Sequence, residues 1–376
     1  MPTFHRRLMQ LWTLAVLGGC AAANGAETET FDPAAAEVTA EGAAAQEAGA
    51  RVSELDFEIP LRGTGKAQIH ARIYGNPRRG GYETVLAVHG LSETGATFEP
   101  LANAIFADPT LKRRIRRVIA IDLVGRGESG FPQGLPNEAK FGDLTIEDNG
   151  ATVLESIEVL RRRFLAPQTL IGHSMGGLAV QAAQEALLAK GSSLSARGVY
   201  SAVLLAPVPA GGRPWTQPVT GDLSQFVVQD PAQGAYVSLP PELWLAQAFS
   251  TTAGTLVPNA PTPATVAERG YIGLEPLTTL FQLTGAPIPT PTGETITLAR
   301  PTVRAGAFAS TRGTRLTVVG FTEDVLVPAA NLGDLYGYLT GDASNKRYVA
   351  VQTPDAVHSM FISNPTGVIA AARNAL

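Results

Sequence analysis

A serine fenced by glycines, a late histidine and a carboxylate between them are the residues of this chain best suited to nucleophilic chemistry. The serine is Ser174, in "TLIGHSMGGLA" (169–179), with Gly172, Gly176 and Gly177 around it. "G-H-S-M-G" fits G-x-S-x-G, and its flanks read as a strand before and a helix after, as a nucleophile on a tight strand-to-helix turn requires. Glycines at such a turn let neighbouring backbone come close. The helix beginning there turns N–H groups and a positive dipole end toward developing negative charge.

A serine hydroxyl is a weak nucleophile near neutral pH and needs a base. The chain has five histidines, so elimination is possible. His5 lies in the leader, His70 reads as a partly buried strand histidine, and His173 adjoins Ser174 where the turn directs its side chain elsewhere. His89 ends a strand and is carried as a pocket residue. His358, in "DAVHSMF", follows the last strand and is the expected base. A third group should orient its ring. Asp324, in "VVGFTEDVLVP", is the expected acid, with Glu323 as the adjacent fallback and Asp355 too near His358 in sequence. The order serine, acid, histidine then runs 174, 324, 358. No metal or cofactor is required by this chemistry.

The elements that must position these residues alternate. "RVSELDFEI" and "AQIHARIY" read as an antiparallel opening pair. "TVLAVHG", "RRVIAIDLV", "QTLIGHS", "YSAVLLAP", "TRLTVVG" and "KRYVAVQ" are short apolar runs of the kind buried in parallel sheets. "TIEDNGATVLESIEVLRRRF" (145–164) has helical spacing, with Thr145 and Asp148 placed as a capping box. The alternation implies an α/β fold with a mainly parallel sheet flanked by helices. Residues 51–208 and 313–376 are its two parts. Residues 209–312 break the pattern with roughly half of the 27 prolines, yet carry Trp215, Phe226, Trp244, Phe249, Tyr271 and Phe281. A structureless loop of that length is implausible in a compact domain, so they are expected to form an inserted cap whose prolines and glycines limit regular structure, and Trp215 and Trp244 are expected to line a substrate pocket.

"VHGLSETG", "IDLVGRGESG", "GHSMGG", "GFTEDVLVP" and "DAVHSMF" stand in the order found in the α/β-hydrolase superfamily, and residues 51–376 resemble its capped, serine-dependent branch. The resemblance implies that "HGL" forms an oxyanion loop in which the backbone N–H groups of Leu91 and Met175 hold the developing charge. The expected reaction is cleavage of a carboxylic ester of an uncharged, apolar small molecule through an acyl-enzyme. The same three side chains on a C–C bond, lactone, amide or thioester are the alternative, and a non-catalytic binding lipoprotein is the lesser one. "GRGESG" (125–130) fits a dinucleotide fingerprint after a strand, but Phe131-Pro132 follow instead of a helix, so it reads as a turn at the cleft rim.

"MPTFHRRLMQLWTLAVLGGC" (1–20) reads as a secretory leader, its apolar run too short to span a bilayer. Cys20 is the only cysteine and closes "LGGC", which resembles the lipobox of bacterial lipoproteins. The resemblance implies lipidation at Cys20 and export, with the outer membrane the expected site in a Gram-negative source; a soluble periplasmic or secreted form is the alternative. Residues 21–50 are Ala/Glu-rich and read as a tether. The formal charge of −4 splits into about +2 over residues 1–20, −6 over 21–50 and a neutral body, which argues against nucleic acid as a partner.

Overall fold

The computed structural model describes residues 29–31, 50–63, 65–76, 80–133, 143–213, 226–230, 234–285, 287–289, 295–342 and 347–376. Cys20 and Trp215, and with them the expected lipidation site and one expected pocket residue, lie outside the described residues. No helix among the described residues is long and apolar enough to cross a membrane.

In chain order the first half contains β1 (Glu29–Phe31), β2 (Arg51–Leu61), β3 (Gly65–Gly75), β4 (Glu83–Val88), α1 (Glu99–Ala107), α2 (Leu111–Arg114), β5 (Ile115–Ile121), α3 (Ile146–Arg162), β6 (Thr169–His173), α4 (Met175–Ala189) and β7 (Ser201–Leu205). Residues 209–312 contribute β8 (Val227–Asp230), β9 (Gly234–Val237), α5 (Pro241–Ala248), α6 (Pro263–Glu268), β10 (Glu275–Pro276), α7 (Leu277–Thr284), β11 (Pro287–Pro289) and β12 (Thr295–Thr297). The chain closes with β13 (Arg315–Phe321), α8 (Leu332–Thr340), β14 (Tyr348–Val351), α9 (Met360–Ser363) and α10 (Pro365–Ala372).

The main sheet runs β1-β14-β13-β7-β6-β4-β5-β3-β2. β2 and β3 pair antiparallel, as does β3 with β5, and every other neighbour pair is parallel. The apolar runs become parallel strands because both faces are covered: β6 and β7 are buried along their whole length. Three residues of the Ala/Glu-rich segment, Glu29–Phe31, pair with Val349–Val351 at the sheet edge. α3 starts at the expected capping box, Thr145 Oγ1 accepting from Asp148 N and an Asp148 carboxylate oxygen accepting from Thr145 N. The basic run 112–117 divides between α2 and β5.

The inserted segment is more regular than its proline content suggests. Pro241 and Pro263 open helices, where the missing N–H would be unpaired in any case. β8, β9 and β10 form a small antiparallel sheet. Trp244, Phe249 and Tyr271 join the same apolar cluster as the sheet residues, so these three do not make a separate cap core. The cap is fastened to the carboxyl edge of the main sheet: Gly273 N donates to Ser92 O, Thr94 N to Tyr271 O, and Ser359 N to Ala248 O.

Candidate active site

Parallel strands present their carboxyl ends on one edge, where open α/β sheets hold ligands. The loop after β4 carries Leu91, Ser92 and Glu93. The turn after β5 carries Arg126. Ser174 follows β6, Asp324 follows β13 and His358 follows β14. A single cavity is lined by Leu91, Ser92, Glu93, His173, Ser174 and His358 from the sheet edge, with Trp244, Gln247, Glu275, Leu280 and Leu283 from the cap. Val208, Val237, Leu239, Ala248, Leu326 and Val327 complete it and make most of its wall apolar.

Ser174 sits at φ 50°, a left-handed conformation unusual for a side-chain-bearing residue and costly enough to mark a built site. The turn is held by Ser174 N donating to Leu205 O and by Val208 N donating to Ser174 O. The glycine fence has a steric cause. A Cβ on Gly172 would lie 2.8 Å from Gly176 O, and one on Gly176 would lie 2.3 Å from Val88 O. The helix therefore starts against β4 and β6 with no room for side chains. Met175 is the first residue of α4, so its N–H has no intrahelical acceptor.

His358 Nδ1 donates to Asp324 Oδ2 at 2.8 Å. Asp324 is 3% exposed, and its other oxygen accepts from Leu326 N and Val327 N, both at 2.8 Å, which fixes the carboxylate plane. Burial pulls the His358 imidazole down, but the charge and hydrogen bond of Asp324 and the charge of Glu93 outweigh it, and the ring is raised above its ordinary value of 6.5. Glu323, the fallback acid, instead accepts from Thr252 N at 3.1 Å and from Thr252 Oγ1, out in solvent. Asp355 accepts from Asn364 Nδ2.

His89 does not line the cavity, which corrects its expected pocket role. It is fully buried; Leu123 N donates to Nε2 at 3.0 Å, so the proton is on Nδ1, which donates to Gly90 O at 2.8 Å. Burial lowers its tendency to protonate. Its role is to tie the loop after β4 to the turn after β5. Trp244 does line the cavity, and it also packs on Phe249 (5.5 Å between centroids, 72°) and Tyr271 (6.5 Å).

Two buried pairs escape sequence reasoning. Beneath His358, His173 faces Glu93 Oε2 through Nδ1 (2.9 Å) and the His358 carbonyl through Nε2 (3.0 Å). Both ring nitrogens of His173 therefore face oxygen atoms. Glu93 is fully buried; burial opposes its charge, but His173 and the Gly90 N–H hold it below the usual carboxylate range. The second pair is Arg126 with Glu275, both buried. All five guanidinium N–H groups are used: Nε and Nη2 on Glu275, Nη1 on Val124 O and Asn149 Oδ1, and Nη2 again on Thr279 Oγ1. The remaining capacity of Glu275 Oε2 accepts Ser92 N at 3.0 Å. The only sequence signal for this pair was an arginine between two glycines in the turn "GRGESG".

In the loop 90–93 the amides of Gly90, Ser92 and Glu93 bond Glu93 Oε2, Glu275 Oε2 and Gly90 O. The Leu91 N–H is the one left over, beside the cavity that also holds Ser174.

The chain matches a family model described as "Alpha/beta hydrolase family" over residues 85–372. Among solved structures it resembles a thermophilic esterase from Thermogutta terrifontis with malate bound, at 17% identity and TM-score 0.50, over 85% of this chain and 97% of that one. It also resembles an N-acyl homoserine lactonase in complex with N-hexanoyl homoserine, at 15% identity and TM-score 0.47, over 86% of this chain and 96% of that one. A search of curated proteins finds no match. With the family model covering most of its length, the chain belongs to the alpha/beta hydrolase family.

Proposed function

We propose that this hydrolase cleaves carboxylic esters with an uncharged, apolar part, using Ser174, His358 and Asp324. The observation that carries the reading is a serine on a strained turn sharing one largely apolar cavity with a histidine that is hydrogen-bonded to a buried aspartate. Ser174 Oγ attacks the ester carbonyl carbon as its proton passes to His358 Nε2, the nitrogen that Asp324 leaves free. The carbonyl oxygen becomes an oxyanion held by the N–H groups of Leu91 and Met175, each worth on the order of 3 kcal/mol. The tetrahedral intermediate collapses, the His358 proton goes to the departing alcohol, and the acyl group stays on Ser174. Water, deprotonated by His358, then releases the acid. Asp324 keeps the proton on Nδ1 and offsets the charge formed on the ring.

A fluorophosphonate probe should label wild-type protein and not Ser174→Ala, and hydrolysis of 4-nitrophenyl esters should vanish with the label. Retained hydrolysis in Ser174→Ala would remove the serine mechanism. A substrate panel containing lactones, amides and thioesters beside esters of graded length assigns the bond type.

The N-terminal pattern adds a location to this reading. We infer that Cys20 carries the lipid that anchors the enzyme to a membrane, the outer one in a Gram-negative cell, with residues 21–50 leading from the anchor to the catalytic body, whose sheet edge already pairs with Glu29–Phe31. Labelled palmitate should enter the wild type and not Cys20→Ala; label persisting in that variant would sink the claim.

A further inference from the structure

On the face of the opening hairpin away from the catalytic cavity, a histidine and several carboxylates converge. β2 and β3 pair with Asp56 opposite His70 and Glu54 opposite Arg72, so these four side chains share one face of the pair. The turn after β5 folds over them: Ser129 Oγ accepts from His70 N, Gly130 N donates to Gln68 O, and Glu128 arrives above His70. His70 is consequently 3% exposed, although it stands on an edge hairpin.

Its hydrogen bonding is incomplete. Nδ1 faces Asp56 Oδ1 at 3.0 Å. A carboxylate only accepts, so the proton of a neutral ring is on Nδ1, and Nε2 is a bare lone pair. That atom is buried and has no hydrogen-bond partner. Glu128 Oε1 is 3.8 Å from it, too far for a hydrogen bond. Two acceptors in that position call for a cation between them. Ligands of one zinc-sized ion, each about 2.1 Å from it, stand roughly 3.4 Å apart, which a small turn of the half-exposed Glu128 supplies. Glu54, His70 and Glu128 offer ligand atoms that all lie within 4.8 Å of one another. Arg72 Nη2 bonds Glu128 Oε1 at 2.7 Å and cancels one of the three carboxylate charges of Glu54, Asp56 and Glu128, leaving two.

We propose that Glu54, His70 and Glu128 form a binding site for a divalent transition-metal ion of the zinc type, with water in the open position. The imidazole selects such an ion over calcium or magnesium, which prefer all-oxygen sites. Asp56 is the outer partner that fixes the metal-binding tautomer of His70. The site is structural: it pins the hairpin to the turn that carries Arg126, and through Arg126 to the cap.

The test is titration of the purified full chain with ZnCl2 by calorimetry, with thermal unfolding in parallel. The wild type should bind one ion beyond any held by the N-terminal segment, with micromolar affinity and a raised melting temperature. Glu128→Gln, an exposed change that keeps the fold, and His70→Ala should each abolish that ion and that rise. Asp56→Asn should weaken binding about tenfold. Absence of wild-type binding at millimolar ZnCl2, or undiminished binding in both Glu128→Gln and His70→Ala, overturns the site. The same holds if nitrogen NMR at neutral pH finds both ring nitrogens of His70 protonated in the presence of ZnCl2, since a proton would then fill the place assigned to the metal.

Discussion

Glu275→Leu tests how the cap is held. The substitution removes a carboxylate that takes two guanidinium N–H groups and the Ser92 amide. Arg126 is left as a buried cation with Val124 O, Asn149 Oδ1 and Thr279 Oγ1 as its remaining acceptors. Stranding one partner of a buried ion pair costs about 3–5 kcal/mol. Orphaning the Ser92 N–H adds about 1–3 kcal/mol. Glu275 borders the cavity, so water can reach part of the exposed surface, and the expected loss is about 4 kcal/mol. Arg126→Met combined with Glu275→Leu removes the stranded cation and should recover roughly half of that loss or more, because well-packed apolar replacements of such pairs are close to neutral. Catalysis should respond differently. Ser92 adjoins Leu91, and it still lacks its acceptor in the double variant, so kcat stays low there while stability returns. Urea unfolding followed by tryptophan fluorescence gives the first quantity, and ester hydrolysis at saturating substrate gives the second. A loss under about 1 kcal/mol in Glu275→Leu, or a double variant as unstable as the single one, would refute the reading that this pair adds to the backbone bonds holding the cap.

Three further outcomes follow from the site. Asp324→Asn should lower kcat by about four orders of magnitude, because an amide does not hold the His358 tautomer, while Glu323→Gln stays near wild type; the reverse ranking in steady-state assays would reassign the acid. His358 must be neutral to accept the serine proton and its folded value is raised, so the acidic limb of kcat/KM should lie above pH 6.5 and move down in Glu93→Gln, which removes one of the raising charges. By linkage the same group adds stability that is complete below its unfolded value and is lost as pH rises through the folded one, so melting temperature should fall across the window in which activity rises, and a pH-independent melting temperature there would contradict this. Trp244→Ala should cost about 3 kcal/mol, the low end for a buried tryptophan because one side faces the cavity, and should also shift preference toward bulkier esters; loss of stability with unchanged preference would assign Trp244 to packing alone.

The strands and the three catalytic candidates were legible because each has a local signature. Short β-branched runs between amphipathic stretches become buried parallel strands, and five histidines are few enough for elimination to reach His358. The cap's helices and strands were not legible, since a count of prolines ignores that Pro241 and Pro263 occupy helix first turns, the one helical place that suits them. His89 was misplaced for a related reason: a histidine at a strand end beside a glycine has the same signature whether its ring turns toward the cavity or into backbone. The two buried pairs had no local signature at all. Glu93 meets His173 across 80 residues and Arg126 meets Glu275 across 149, and isolated glutamates and arginines ordinarily mark solvent. Both pairs act on the same short loop. Glu93, bonded to His173, takes the Gly90 amide, and Glu275, bonded to Arg126, takes the Ser92 amide. Leu91 lies between those two anchors, so its N–H is held in place by side chains from three distant segments. The motif "HGL" could locate the loop in the sequence, but its rigidity is a property of the folded neighbourhood, which is why kcat is expected to be sensitive to Glu93 and Glu275 although neither is assigned a bond to the substrate.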